Sequence, residues 1–183
     1  DMHGNRIQDM HCYTFSFGSA MLCGIMYGDY SNRNLKETPV RVTFEKPYHI
    51  YDIRENTYHG YEDGISLKVV PQEAKLFGGL QYRLGGLRVS AKQNHENGII
   101  AIDCSGIIYE ESGEAVEGCH VVRLAVLDPD GVNRSEYGAK LLSQDGYFKH
   151  SFVLALNDPG GNWSLEAREV ISGEKARTVV RVE

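Results

Sequence analysis

The stretch Phe148–Val182, FKHSFVLALNDPGGNWSLEAREVISGEKARTVVRV, decides how the rest of the chain is read. Phe152, Leu154 and Leu156 fall on alternate positions. After the turn Asn157-Asp158-Pro159-Gly160-Gly161, Trp163, Leu165 and Ala167 point one way while Ser164, Glu166 and Arg168 point the other. Beyond Ser172-Gly173, Ala176, Thr178, Val180 and Val182 oppose Lys175, Arg177 and Arg181. A period of two with one charged face suits a strand covered on one side, and no helix satisfies it. The pattern predicts three consecutive antiparallel strands, the closing half of a β-sandwich.

Working outward, Ile99–Cys104 and Val121–Leu127 are apolar runs that bracket the turn Glu111–Glu117, and Asp128-Pro129-Asp130-Gly131 is a turn by its chemistry. Asn133–Leu142 carries weaker signals, fitting a short edge strand or an irregular crossing. Residues 86–183 thus hold six or seven short strands, the number and size expected of an immunoglobulin-like sandwich. The pattern breaks at Leu84-Gly85-Gly86-Leu87, which places a domain boundary there. Before it, residues 11–85 read as a small β-sandwich. His11, Tyr13, Phe15 and Phe17 alternate with Cys12, Thr14 and Ser16, and a second apolar run follows Gly18-Ser19. Val40, Val42 and Phe44 form a strand that Pro47 is expected to end. Tyr48–Arg54, Ile65–Val69 and Gln72–Tyr82 supply further strands, and Asp29–Glu37 reads as loop. Residues 1–10 are polar and unpatterned, a tail or linker. The expected class is all-β, two consecutive sandwiches with no helix of normal length.

Composition narrows function mainly by exclusion. The formal net charge is −6 with no basic run, which argues against a nucleic-acid backbone as partner. No apolar stretch reaches the roughly twenty residues that cross a bilayer, so Phe15–Tyr27 is read as buried strand and no membrane partner is expected. The chain opens Asp-Met-His-Gly without a basic or apolar leader, as expected either of a cytosolic protein or, the favoured reading, of a piece of a longer polypeptide whose targeting signal lies elsewhere.

The four cysteines, Cys12, Cys23, Cys104 and Cys119, show no C-x-x-C spacing, so neither a structural zinc site nor any other cofactor is expected. Cys104 and Cys119 flank the turn at Glu111–Glu114 and would approach disulfide distance if they lie on neighbouring strands. The alternative is that all four are small buried hydrophobes. The Asp128–Gly131 turn, with Asp145 or Asp158, offers oxygen ligands for calcium, but it lacks the alternate-residue spacing of a dedicated loop, and turn chemistry explains it as well. Asn133-Arg134-Ser135 and Asn162-Trp163-Ser164 match the glycosylation triplet. The carboxylate pairs Glu62-Asp63, Glu110-Glu111 and Asp128/Asp130 fall in turn-like segments, and no G-x-S-x-G elbow, P-loop or H-E-x-x-H occurs. No catalytic residue is therefore assigned. Tyr48, Tyr51, Tyr58 and Tyr61 cluster in one turn-rich stretch with His49, His59 and Asp52. They are candidates for a shallow stacking platform for carbohydrate, or else ordinary strand residues.

One resemblance can be named. Tyr51-Asp52-Ile53-Arg54 with Tyr58-His59-Gly60, the run PQEAKLFGGLQY at Pro71–Tyr82, and His120-Val121-Val122-Arg123 followed by Asp128-Pro129-Asp130-Gly131 carry it. So do Leu154-Ala155-Leu156-Asn157-Asp158, Gly161-Asn162-Trp163 and Ser172-Gly173. Together they resemble the C-terminal β-sandwich accessory modules of bacterial beta-galactosidase-like glycoside hydrolase polypeptides, with Asn56 and His59 standing where that family has a turn Gly and a Leu. The resemblance implies a first module similar to the terminal all-β domain of amylase-type enzymes and an immunoglobulin-like second. Neither carries the family's catalytic carboxylates. It implies a noncatalytic accessory role, by domain packing, assembly or weak carbohydrate contact, in an extracellular or periplasmic setting. The expected partners are other domains of the parent polypeptide, a second copy, or a polysaccharide. The competing reading is an immunoglobulin-like structural or adhesive pair of a cell-surface or filament-forming protein, whose edge strands carry the contacts.

Overall fold

The computed structural model describes residues 9–18, 20–28, 36–96 and 98–183, which form twelve strands and no helix. The expected tail at residues 1–8 and loop at residues 29–35 lie outside the described residues. Among the described residues no helix is long and apolar enough to cross a membrane. The chain divides into two compact units, Asp1–Arg83 and Leu84–Glu183, beside the predicted break at Gly85-Gly86.

The first unit contains β1 (Met10–Phe17), β2 (Ala20–Tyr27), β3 (Thr38–Asp52), β4 (Thr57–Val69) and β5 (Ala74–Leu80). They form one antiparallel sheet in the order β1-β2-β5-β3-β4. Its core takes alternate residues of β2, Met21, Cys23, Ile25 and Tyr27, together with Ile50 and Phe77. Val40 of β3 and Ile65 and Val69 of β4 bury into the same cluster. A single sheet therefore supplies both sides of the core, by bending along its longest hairpin.

The bend is written in the register. Thr43 pairs with Gly64 and Tyr48 with Glu62, so Phe44–Pro47 on β3 oppose Asp63 alone on β4. Pro47 does not end the strand as expected; it sits in this bulge, where no ladder donor is required of it. Gly64 is needed on the facing strand, because a Cβ there would lie 2.5 Å from the Val42 carbonyl oxygen. At the far end of the hairpin Asn56 adopts φ 53°, a left-handed conformation that Asn tolerates. Asn56 thus closes this turn without a glycine.

The second unit contains β6 (Leu84–Glu96), β7 (Ile99–Glu110), β8 (Val121–Leu127), β9 (Ala139–Leu142), β10 (Tyr147–Val153), β11 (Gly161–Glu169) and β12 (Lys175–Val182). One sheet runs β10-β7-β6 and the other β12-β11-β8-β9. Between them lie Ile102, Ile108, Val122, Val126, Phe148, Leu165 and the fully buried Trp163. The alternation read in β11 and β12 holds, with Trp163, Leu165, Ala167, Val180 and Val182 inside. The expected three-strand run does not: β10 pairs with β7 in one sheet, while β11 and β12 pair in the other. The chain leaves β10 after Val153 to cross between sheets, so Leu156, placed by its spacing in the core, is 98% exposed. Sequence adjacency cannot distinguish a hairpin from such a crossing, because both preserve the alternation.

Candidate functional site

The first unit's sheet has a second face, turned away from its core, and the register shows which residues share it. Tyr58 pairs with Tyr51, Tyr51 with Gly78, Gly78 with Leu22, and Leu22 with Phe15, so these five form one row across all five strands. Tyr61, His49 and Leu80 make a neighbouring row, and Leu76, Gly24 and Tyr13 another. A Cβ on Gly24 would meet nothing within 4 Å, so the face is low and open beside β1.

β1 forms one rim of this face. Tyr13 is 54% exposed, Phe15 65% and Phe17 61%, with Met26 exposed beside them on β2. Phe15–Tyr27 was expected to be buried strand, yet Phe15 and Phe17 are exposed, and it is Cys12, Thr14 and Ser16 that share the core side of the register with Met21 and Cys23. β1 also stands at the end of the strand order, so one of its edges has no strand against it among the described residues.

The other rim holds three of the four predicted tyrosines. A bulge at His59 lets Tyr58 pair with Tyr51 while Gly60 pairs with Ile50, which brings Tyr58 and Tyr61 to one side. His49 lies 4.7 Å from the Tyr61 ring and 6.0 Å from that of Tyr58, and its Nδ1 shares a 2.8 Å hydrogen bond with the Tyr58 hydroxyl. The Arg83 guanidinium sits 4.8 Å over Tyr58, and Tyr51 lies 5.1 Å from it. Of the four, only Tyr61 is both on this face and exposed, while Tyr51 is buried. Tyr48 belongs to the opposite face: it packs on the core cluster, edge-on to Phe44 and beneath Lys46. The parity of β3 separates it from its neighbours. His59 does not join His49 either, and meets Phe77 edge-on.

In the second unit the acidic turns prove to be joined by a protein cation. Asp128 Oδ1 accepts the N–H groups of Asp130 and Val132, closing the turn. Arg134 lies 2.8 Å from Asp158 and 3.6 Å from Asp128, so its guanidinium holds the place considered for calcium. Tyr137 donates to Asp158, and Ala155 N–H donates to both. Tyr137 also stacks on Phe152 and meets Trp163 edge-on, tying the loops to the core. Among the described residues no group of three or more His, Cys, Asp and Glu could hold a metal ion.

Sequence reasoning missed the most deeply buried of the described carboxylates. Glu169 is fully buried, and its Oε1 accepts from His120 Nδ1 at 3.0 Å and from Ile171 N–H at 3.0 Å. Its Oε2 accepts from Ser172 N–H and Oγ at 2.6 and 2.7 Å. Burial alone would raise its pKa, but the hydrogen bonds from His120 and Ser172 hold it below the ordinary carboxylate range. A glutamate at the end of an alternating strand, three residues before Ser-Gly, was the available signal.

The outer face of β6, β7 and β10 carries a shallow groove of about 500 Å³ lined by Ser90, Lys92, Asp103, Ser105, Lys149 and Ser151. Asp103 is occupied there by Ser151, Asn94 and Lys92. Cys104 and Cys119 are free thiols. Their expected pairing required β7 and β8 to be hairpin neighbours, whereas the turn closes at the Tyr109–Ala115 bridge and β8 joins the other sheet. The thiols that do meet are Cys12 and Cys23.

No protein-family profile matches the chain, and no curated protein matches it significantly.

Proposed function

We propose that this chain is a noncatalytic structural region, two all-β modules that assemble by pairing β1 with β1 of a second copy. The observation that carries the reading is β1 itself, an eight-residue edge strand, MHCYTFSF, with three exposed aromatic rings. Edge strands in monomers are blunted by charge, proline or bulges. β1 contains no Lys, Arg, Asp, Glu or Pro, and its eight pairs with β2 run without a register shift. A second β1 is the matching occupant: two such edges related by a twofold axis complete each other's ladders and lay one aromatic strip beside the other. The role agrees with what the resemblance to glycoside-hydrolase accessory modules implies. The second unit's three-plus-four strand arrangement supports an immunoglobulin-like assignment, with β9 on the sheet of β8 and β11. The described buried carboxylates Asp52, Asp128, Asp158 and Glu169 all accept N–H groups near them in sequence, the pattern of structural caps.

Sedimentation velocity over a wide concentration range tests the reading. The full chain should associate, and Phe15→Lys should return it to monomer with an unchanged circular dichroism spectrum. A wild-type chain that stays monomeric at the highest soluble concentration refutes it.

A second reading rests on Tyr61, 53% exposed beside His49, as a stacking surface for a sugar ring. Calorimetric titration with galactosides and plant polysaccharides should give heat that Tyr61→Ala removes. Silence from every ligand ends this reading and leaves the assembly reading standing.

A further inference from the structure

Cys12 on β1 and Cys23 on β2 place their sulfur atoms 3.6 Å apart. The register makes them diagonal neighbours: Cys12 pairs with Ile25, and Cys23 with Thr14. Both lie on the core side of the hairpin, yet their surroundings differ, since Cys12 is exposed and Cys23 fully buried. An accessible thiol backed by an inaccessible one is the arrangement in which a first oxidation is captured internally.

We propose that Cys12 and Cys23 form an oxidation site, with Cys12 reacting first with a hydroperoxide and Cys23 resolving it into an intramolecular disulfide that ties β1 to β2. In the first step the Cys12 thiolate attacks one peroxide oxygen. The S–O bond forms, the O–O bond breaks, hydroxide leaves, and Cys12 is oxidised to a sulfenic acid while the peroxide is reduced. In the second, the Cys23 sulfur attacks the Cys12 sulfur. The S–S bond forms, the S–O bond breaks, and the departing hydroxide takes the Cys23 proton as water. Two thiols and one hydroperoxide give one disulfide, one water and, from hydrogen peroxide, a second water.

Chemistry and geometry agree on the roles. The hydrogen bond from the Cys23 thiol favours the Cys12 thiolate and brings its pKa down to about 7, against the opposing effect of burial. The same hydrogen bond, with burial, pushes Cys23 up. Forming a bond of about 2.05 Å requires the sulfurs to close by roughly 1.5 Å. Rotation about χ1 and a small shift of β1, which among the described residues has a strand on one side only, supply that approach. Cys104 has no such partner: burial raises its pKa to about 11. In an oxidising compartment the pair would stand closed, and in a reducing one it would respond to peroxide.

The test treats the reduced full-length chain with hydrogen peroxide, then alkylates under denaturing conditions and maps the peptides. A cross-linked Cys12–Cys23 peptide should appear, two hydrogens lighter than its reduced parts. Cys12 should be consumed at least tenfold faster than Cys119. In Cys23→Ser the sulfenic acid should persist on Cys12 and be captured by dimedone, while wild type gives little adduct. Recovery of Cys12 and Cys23 as separate alkylated thiols, or as adducts to other molecules, after the peroxide is spent overturns the proposal. The wild-type map decides the matter even if Cys23→Ser fails to fold.

Discussion

Glutamate 169 is the position where a single atom change should have the largest readable effect. Its carboxylate serves four donors, from His120, Ile171 N–H, and Ser172 N–H and Oγ, at 2.6 to 3.0 Å. Glu169→Gln keeps the shape but turns an NH2 group toward donors that had faced oxygen, leaving at least one buried donor without an acceptor. Unmet buried donors cost about 1–3 kcal/mol each, and more where the lost acceptor was charged, so a loss of about 3 kcal/mol is expected. With a urea dependence of about 2 kcal/mol/M, the unfolding midpoint should fall by about 1.5 M. Trp163, the sole tryptophan and fully buried in the second unit, reports that unit's unfolding by fluorescence without interference from the first. The pH dependence has a definite sign. Because the folded-state pKa of Glu169 is depressed, its contribution is complete above the unfolded value of about 4.3 and fades as pH falls through the lower folded value. Wild type and Glu169→Gln should therefore differ by a constant amount at neutral pH and converge in acid. A midpoint shift below about 0.3 M at pH 7, the size of an ordinary surface substitution, would refute the reasoning.

Two further substitutions probe the frame. Tyr137→Phe removes the hydroxyl that donates to Asp158 and accepts from Ala155 N–H, while keeping the ring against Phe152 and Trp163. It should cost about 1–2 kcal/mol in urea unfolding followed at Trp163, and no change in midpoint would sink the latch. Gly64→Ala places a methyl 2.5 Å from the Val42 carbonyl oxygen, against backbone that cannot turn aside. It should lower the first unit's thermal midpoint, read by calorimetry, by an amount equivalent to about 1–3 kcal/mol, while the Trp163 transition stays in place.

How much was legible before the structure varies with the kind of information each residue carries. The alternation in β11 and β12 identified the inward residues, since one strand's period depends on its own sequence alone. The partner of a strand does not. β10 reads the same whether it lies beside β11 or crosses to β7, and only the exposed Leu156 shows where the chain departs. Pro47 looked like a stop because proline lacks a donor. That reasoning is sound for a regular ladder but says nothing about a bulge whose opposite strand supplies Gly64. In the same way Tyr48 was grouped with Tyr51, Tyr58 and Tyr61 by nearness in sequence. The parity of β3 and the bulge at His59 then sorted them onto two faces. Arg134, unremarked in the sequence beyond its place in a triplet, proved to be the counter-ion of two turns that had looked like a metal loop.

Phe15 and Phe17 fall in a stretch read as buried strand yet stand exposed on β1, and the energetics of that strand bear on assembly. An alternating edge strand normally turns its apolar side to the core, whereas here Tyr13, Phe15 and Phe17 face outward. At roughly 200 Å² per aromatic side chain and about 60% exposure, the three leave on the order of 350 Å² in water, near the largest patch common on monomers. Twofold pairing sets the two strips side by side, and covering about half of each would bury about 350 Å², which at about 25 cal/mol per Å² gives roughly 9 kcal/mol, to which the completed ladder adds, against association costs of about 4–15 kcal/mol. The balance is that of a weak dimer, one that becomes visible or vanishes within the concentration range of one sedimentation series. A lysine at Phe15 removes about a third of that area and places two ammonium groups near each other across the twofold axis, enough to move the equilibrium well toward monomer. The same sequence alternation thus serves folding in β11, where a second sheet covers it, and in the proposed assembly serves association in β1, where the sheet ends.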